Sequence, residues 1–153
     1  MAGAHTTDDP HAGLPLDEAA ARSVRVRTDE LFAQLDRAGE EPDAGAVHDV
    51  RVATRRLRAA LEVYAPCFPA ERLEPVLRDL KALATDLGVG HDADVALIAL
   101  ERFAAEVKAA GVEAFAARTR ADREGGDELL DAAVARAAHD NLRGRLLALA
   151  EAA

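Results

Sequence analysis

From Leu16 to Ala150 the apolar residues recur at intervals of three, four and seven, and no stretch alternates polar with apolar over the length of a strand. That period puts them on single faces of α-helices; a sheet would need a period of two. The residue types agree. Alanine fills about a quarter of the 153 residues, aromatics make up only 3%, and there is no Trp. A core must therefore be assembled from Leu, Val and Ala in closely packed helices, rather than from the rings and β-branched runs of a sandwich or barrel. The chain is long enough to bury such a core without staples. Its single cysteine, Cys67, excludes a disulfide framework and a cysteine-based zinc site. The expected fold is all-α, an antiparallel helical bundle of about five to six helices.

Local signals divide the chain. Residues 1–15 have no periodicity and two prolines, and read as a disordered tail that includes His5 and His11. Residues 16–153 read as one helical domain. A first helix carries Leu16, Ala20, Val24, Leu31 and Leu35 and stops at Gly39. After a linker with Pro42, Asp43 is the expected N-cap of a second helix over residues 44–65, closed by Pro66 and Pro69. A third is expected over residues 70–87 with Gly88 as its C-cap. A fourth would open at His91-Asp92, with Asp92 and Asp94 in its first turn, where carboxylates favour the helix dipole. It would run through Val95, Ile98, Phe103 and Val107 to Gly111. A short fifth helix, a break at Gly125-Gly126 and a last helix over residues 127–150 complete the layout. No apolar run approaches a membrane span, and the start of the chain has no signal-like apolar stretch, so the expectation is a cytoplasmic protein with no membrane partner.

The net charge of −9 argues against a generic nucleic-acid binder. It also conceals an asymmetry. Residues 48–81 carry seven Arg or Lys against five Asp or Glu, whereas the remainder carries twelve against twenty-three. Between Arg51 and Arg58 stand four arginines and no acid. With His48 at zero and about 100° per residue, Arg51, Arg55 and Arg58 fall near 300°, 340° and 280°, one stripe away from an apolar face centred near 180°; Arg56 sits on a flank. On the third helix Arg78, Lys81 and Thr85 lie away from the leucines. If the two helices pack side by side, these polar faces line a common groove. Arginine keeps its charge at all working pH values and presents a donor fork suited to phosphate oxygens. Like charges so close repel unless an anion or a set of neighbouring acids sits among them.

The run V-H-D-V-R-V-A-T-R-R-L-R-A-A-L (Val47 to Leu61) resembles one signature of the CHAD domain, the conserved histidine α-helical domain. L-R-D-L-K-A-L-A-T-D-L-G-V-G-H-D-A-D-V (Leu77 to Val95) is similar to the other. The two blocks span about 50 residues, in the family's order and spacing. The resemblance implies an all-helical fold that binds inorganic polyphosphate through a basic pore or groove, and an association with polyphosphate granules. Carried onto this chain, it points to His48, Arg51, Arg55, Arg56 and Arg58 from the first block and Arg78 and Lys81 from the second, with Asp92 and Asp94 as the acidic pair. His91 stands where the family usually has arginine. With histidine among the ligands, binding is expected to tighten as pH falls through about 6.5. A full domain of the family is about twice this length, and this chain resembles its first half; His139 and Arg143 are a faint echo of the histidine block. Two copies pairing about a twofold axis would then complete the groove.

The leading expectation is a non-enzymatic polyphosphate-binding module without cofactor or metal, in which Arg51, Arg55 and Arg58 are the central clamps, Arg78 and Lys81 face them, and His48 lies at one end. A helical adaptor or weak nucleic-acid binder is the alternative; the lack of aromatics on the stripe removes base stacking as a route to specific recognition. A phosphoanhydride hydrolase is disfavoured. Asp92 and Asp94, two positions apart, would point in different directions along a helix, and no phosphate-loop glycine pattern is present.

Overall fold

The computed structural model describes residues 13–41, 43–106 and 110–153. They form five α-helices: α1 (Leu16–Glu40), α2 (Ala44–Val63), α3 (Ala70–Glu106), α4 (Ala110–His139) and α5 (Leu142–Ala150), with a 3-10 turn at Ala65–Cys67 between α2 and α3. The described residues contain no strand. The expected all-α bundle is borne out. The tail expected over residues 1–15 falls mostly outside the described residues, and His5 and His11 fall there with it.

The first two helices end close to where local chemistry puts their ends. The Asp43 side chain accepts a hydrogen bond from the Ala46 backbone N–H at 2.6 Å, satisfying one of the first-turn donors of α2. Pro66 stops α2 at Val63 and tightens the next residues into the 3-10 turn, where the Cys67 N–H donates to the Tyr64 carbonyl. Short connections make α1, α2, α3 and α4 successive antiparallel neighbours. Val24, Leu31 and Leu35 of α1, Val50, Leu57 and Leu61 of α2, and Val76, Leu80 and Leu87 of α3 meet in a common core with Leu130 of α4 and Leu146 of α5. Each buried Leu or Val contributes on the order of 2 kcal/mol through its removal from water. Leu16, expected on the α1 stripe, is instead exposed at the first position of the helix.

Two expected helix breaks do not occur. The stretches expected as the third and fourth helices are one, α3, which passes through Gly88 and Gly90. Likewise α4 passes through Gly125-Gly126. Glycine weakens a helix by about 1 kcal/mol but, unlike proline, keeps its N–H, so packing of α3 along α4 carries both helices through. The break comes later. Asn141 adopts a left-handed backbone, φ 50°, which ends α4, and its side chain accepts from the Gly144 N–H to begin α5. Asparagine tolerates this conformation because its short amide bonds locally. Gly144 belongs to the same device, since a Cβ there would lie 2.5 Å from the Asn141 amide nitrogen.

The helices differ in reach. Arg51 of α2 and Ala84 of α3 line one concavity and so stand at one level. At 1.5 Å per residue, the start of α2 meets α3 near residue 91, about 10 Å further along. Past that level, among the described residues, α3 and α4 continue side by side for about 24 Å as a two-helix arm.

Candidate functional site

The basic stripe of α2 lines a groove between α2 and α3. His48, Arg51, Val52, Arg55 and Arg58 form one wall and Ala84 of α3 stands on the other, around a volume of about 250 Å³. From His48 to Arg58 the basic wall is about 15 Å long at the helical rise. Arg55 and Arg56 are exposed, while Arg51 and Arg58 are half-buried. The stripe is thus less remote from the core than its angle relative to the leucines suggested. Thr54 and Val47 are buried, which widens the buried face of α2 to the edge occupied by Arg58.

The groove's charges are weakly neutralised. Arg58 reaches Glu62 one turn along its own helix at 3.4 Å, a partly exposed contact of small energy. Among the described residues Arg51, Arg55 and Arg56 form no ion pair. Two donors on the groove-lining side chains, Nη1 of Arg51 and Nε of Arg58, are buried without a hydrogen-bond partner in the protein. Buried donors left unpaired cost on the order of 1–3 kcal/mol each, more when the group is charged. The same donors are therefore well placed to gain from an oxyanion entering the groove. Val52 and Ala84 add nonpolar atoms to the lining, and among the described residues no carboxylate belongs to it.

Not every expected residue joins this site. Arg78 and Lys81 do not line the groove with the α2 arginines. On α3 they lie about 120° and 60° around the axis from Ala84, which turns them toward solvent beside the opening. Thr85 spends its hydroxyl on the Lys81 carbonyl at 3.0 Å. Arg56 points away on its flank. His91, Asp92 and Asp94 lie among residues whose side chains are outside the described ones. The backbone there is mid-helix, so the helix-start role expected for the two aspartates is overturned: no helix begins at that point. His139 and Arg143 do not echo the histidine block either. His139 is exposed at the end of α4, and Arg143 pairs with Asp29 at 2.9 Å and stacks over Phe32 at 5.7 Å. The groove-lining residues that the sequence reading missed are Val52 and, on α3, Ala84. A signal for Ala84 was present: it is a small residue one turn from Leu80, where close approach of α2 requires little side chain.

Among the described residues no group of three or more His, Cys, Asp or Glu is placed to hold a metal ion. Among them too, no helix is long and apolar enough to cross a membrane.

The model of the CHAD domain matches residues 8–153. This chain belongs to the CHAD family. The match covers nearly the whole chain and not only the two motif blocks or a first half. CHAD domains are in general associated with polyphosphate binding. An uncharacterized protein of Mycobacterium tuberculosis (strain CDC 1551 / Oshkosh) is 33% identical over 86 residues, which are 56% of this chain and 17% of that protein. The matched stretch thus spans less than a fifth of that relative's length. No solved structure matches the chain.

Proposed function

We propose that this CHAD chain binds inorganic polyphosphate, without chemical turnover, in the groove along α2. One observation carries the reading: His48, Arg51, Arg55 and Arg58 line a single groove, and among the described residues the guanidinium groups of Arg51 and Arg55 have no carboxylate partner. Arg51, Arg55 and Arg58 act as the clamps, each offering a fork of donors to successive phosphate oxygens. His48 closes one end. Arg78, Lys81 and Arg56, outside the lining, add long-range attraction for a polymer that extends beyond the groove. A linear polyanion is the ligand class that fits a row of cations about 15 Å long on one helix. The acidic remainder of the chain repels other polyanions and so sharpens the choice. Binding of this kind would bring the chain to polyphosphate granules.

The test is a titration with long-chain polyphosphate at two salt concentrations, with released phosphate measured in the same samples. Tight binding that weakens steeply with salt, and no phosphate released, is the expected result. Absence of binding at physiological salt, or displacement of polyphosphate by an equal phosphate concentration of single-stranded DNA, would refute it. Phosphate release in step with protein concentration would replace binding with hydrolysis.

A further inference from the structure

The last arginine of the groove wall, Arg58, is only half engaged. Its Nη2 donates to Oε1 of Glu62, one turn further along α2, at 3.4 Å. Its Nε, on the same edge of the guanidinium, is buried and has no hydrogen-bond partner in the protein. That edge is one through which arginine grips an oxyanion with two parallel hydrogen bonds, one from Nε and one from Nη2. Glu62 takes one nitrogen of the edge, beyond the usual length of such a bond, and leaves the other unpaired.

The contact does little for the helix itself. An ion pair at this spacing supports a helix best with the acid on the N-terminal side, and here the order is reversed. Glu62 also lies in the last turn of α2, beside the negative end of the helix, where a carboxylate is disfavoured. Its side chain is 56% exposed, so the pair is well solvated and holds weakly. What Glu62 does affect is a residue that lines the groove.

We propose that Glu62 is a competing carboxylate that sets the affinity of the groove by occupying its end clamp; the proposal rests on the polyphosphate reading above. Arg51 and Arg55, which have no carboxylate partner among the described residues, take the anion first. Arg58 is recruited last, when it turns from Glu62 into the groove and offers both Nε and Nη2 to two oxygens of one phosphate. A phosphate satisfies the whole edge where Glu62 satisfies half of it, so the exchange favours the anion. It is still weaker than binding to an arginine with no competitor, and the displaced carboxylate then repels the polymer at this end of the row. Glu62 is thus a positioning residue that acts through Arg58.

The test is a titration of the full chain with long-chain polyphosphate at low and physiological salt, comparing wild type, Glu62→Gln, Arg58→Gln and the double variant. Glu62→Gln should bind about 3- to 5-fold tighter, and the gain should shrink as salt screens the carboxylate. Most of that gain should vanish in the Arg58→Gln background. Asp131→Asn, which removes an exposed charge on α4 outside the groove lining, should leave the affinity unchanged. Wild-type binding that Glu62→Gln leaves the same or weakens overturns the proposal and leaves the polyphosphate reading standing. A gain that persists undiminished without Arg58, or that Asp131→Asn reproduces, overturns it as well, because Glu62 is then one more negative charge and not a competitor. Binding by neither wild type nor Glu62→Gln removes the polyphosphate reading and this proposal with it. Should Arg58→Gln lose helicity, the Nε–H resonance of Arg58 in the wild type decides. Bound polyphosphate shifts it if the edge passes from Glu62 to phosphate; an unmoved resonance under saturating polymer rejects the exchange.

Discussion

Arg136 of α4 and Arg143 and Arg145 of α5 have the same chemistry as the arginines of α2 and opposite circumstances. Arg136 reaches Asp86 of α3, Arg143 reaches Asp29 of α1, and Arg145 reaches both Asp79 of α3 and the Asp140 carbonyl. Each ties its own helix to another. On α2, Arg51, Arg55 and Arg56 meet no carboxylate among the described residues, and Arg58 meets only Glu62 of its own helix. A row of like charges at this spacing costs each neighbouring pair about 0.2–0.5 kcal/mol. The contrast teaches that an arginine's role here is set by what the fold places opposite it. Where a carboxylate faces it, the charge is spent on holding helices together. Where Ala84 stands across the groove instead, the charge remains available.

Charge reversal at both places should break the comparison cleanly. Arg55→Glu with Arg58→Glu is expected to weaken polyphosphate binding by at least about 100-fold, because two attractive contacts become repulsive in a salt-sensitive site. Circular dichroism and melting temperature should remain those of the wild type; a loss of helicity would mark these arginines as structural. Arg143→Glu with Arg145→Glu should do the reverse. It should cost about 2 kcal/mol of stability, seen as a lower urea midpoint, and change the affinity little. Equal losses of affinity in the two variants would erase the distinction between the regions.

Smaller effects sharpen it. Gly144→Ala forces a Cβ against the Asn141 side chain and should cost about 1–2 kcal/mol through loss of the α5 cap, read as a drop of several degrees in melting temperature. Arg145→Ala alone removes a half-exposed pair and should cost about 1 kcal/mol. Arg51→Ala should leave stability within about 0.5 kcal/mol and reduce the slope of log affinity against log salt by about 0.7, one fewer cation engaging a flexible polyanion. An unchanged slope would take Arg51 out of the contact.

Much of the fold was legible in the chain. The period of three and four announced helices. Asp43 announced the start of α2, and Pro66 its end, because each acts on its own neighbours within one turn. Glycines misled. Gly88, Gly125 and Gly126 read locally as stops, yet a glycine only lowers helix propensity, and the packing of α3 on α4 outweighs that. The real stop at Asn141 was hidden because asparagine becomes a helix end only when its backbone turns left-handed, and Gly144 becomes part of that turn only once the two meet.

The candidate site divides along the same line. The arginine row on one helix face follows from spacing alone, since Arg51, Arg55 and Arg58 share a side of any α-helix built from this sequence. Which residues of α3 meet that row does not follow. The angle at which α2 and α3 pack brings Ala84 to the groove and turns Arg78 and Lys81 to its outside. Sequence by itself determined the helical class, the two clear boundaries of α2 and the concentrated charge, because these rest on interactions within a turn or two of chain. Tertiary structure decided the length of α3 and α4, the partners of each arginine and the exposure of the arm, because these depend on contacts between residues as far apart as Asp29 and Arg143, whose meeting no local pattern encodes.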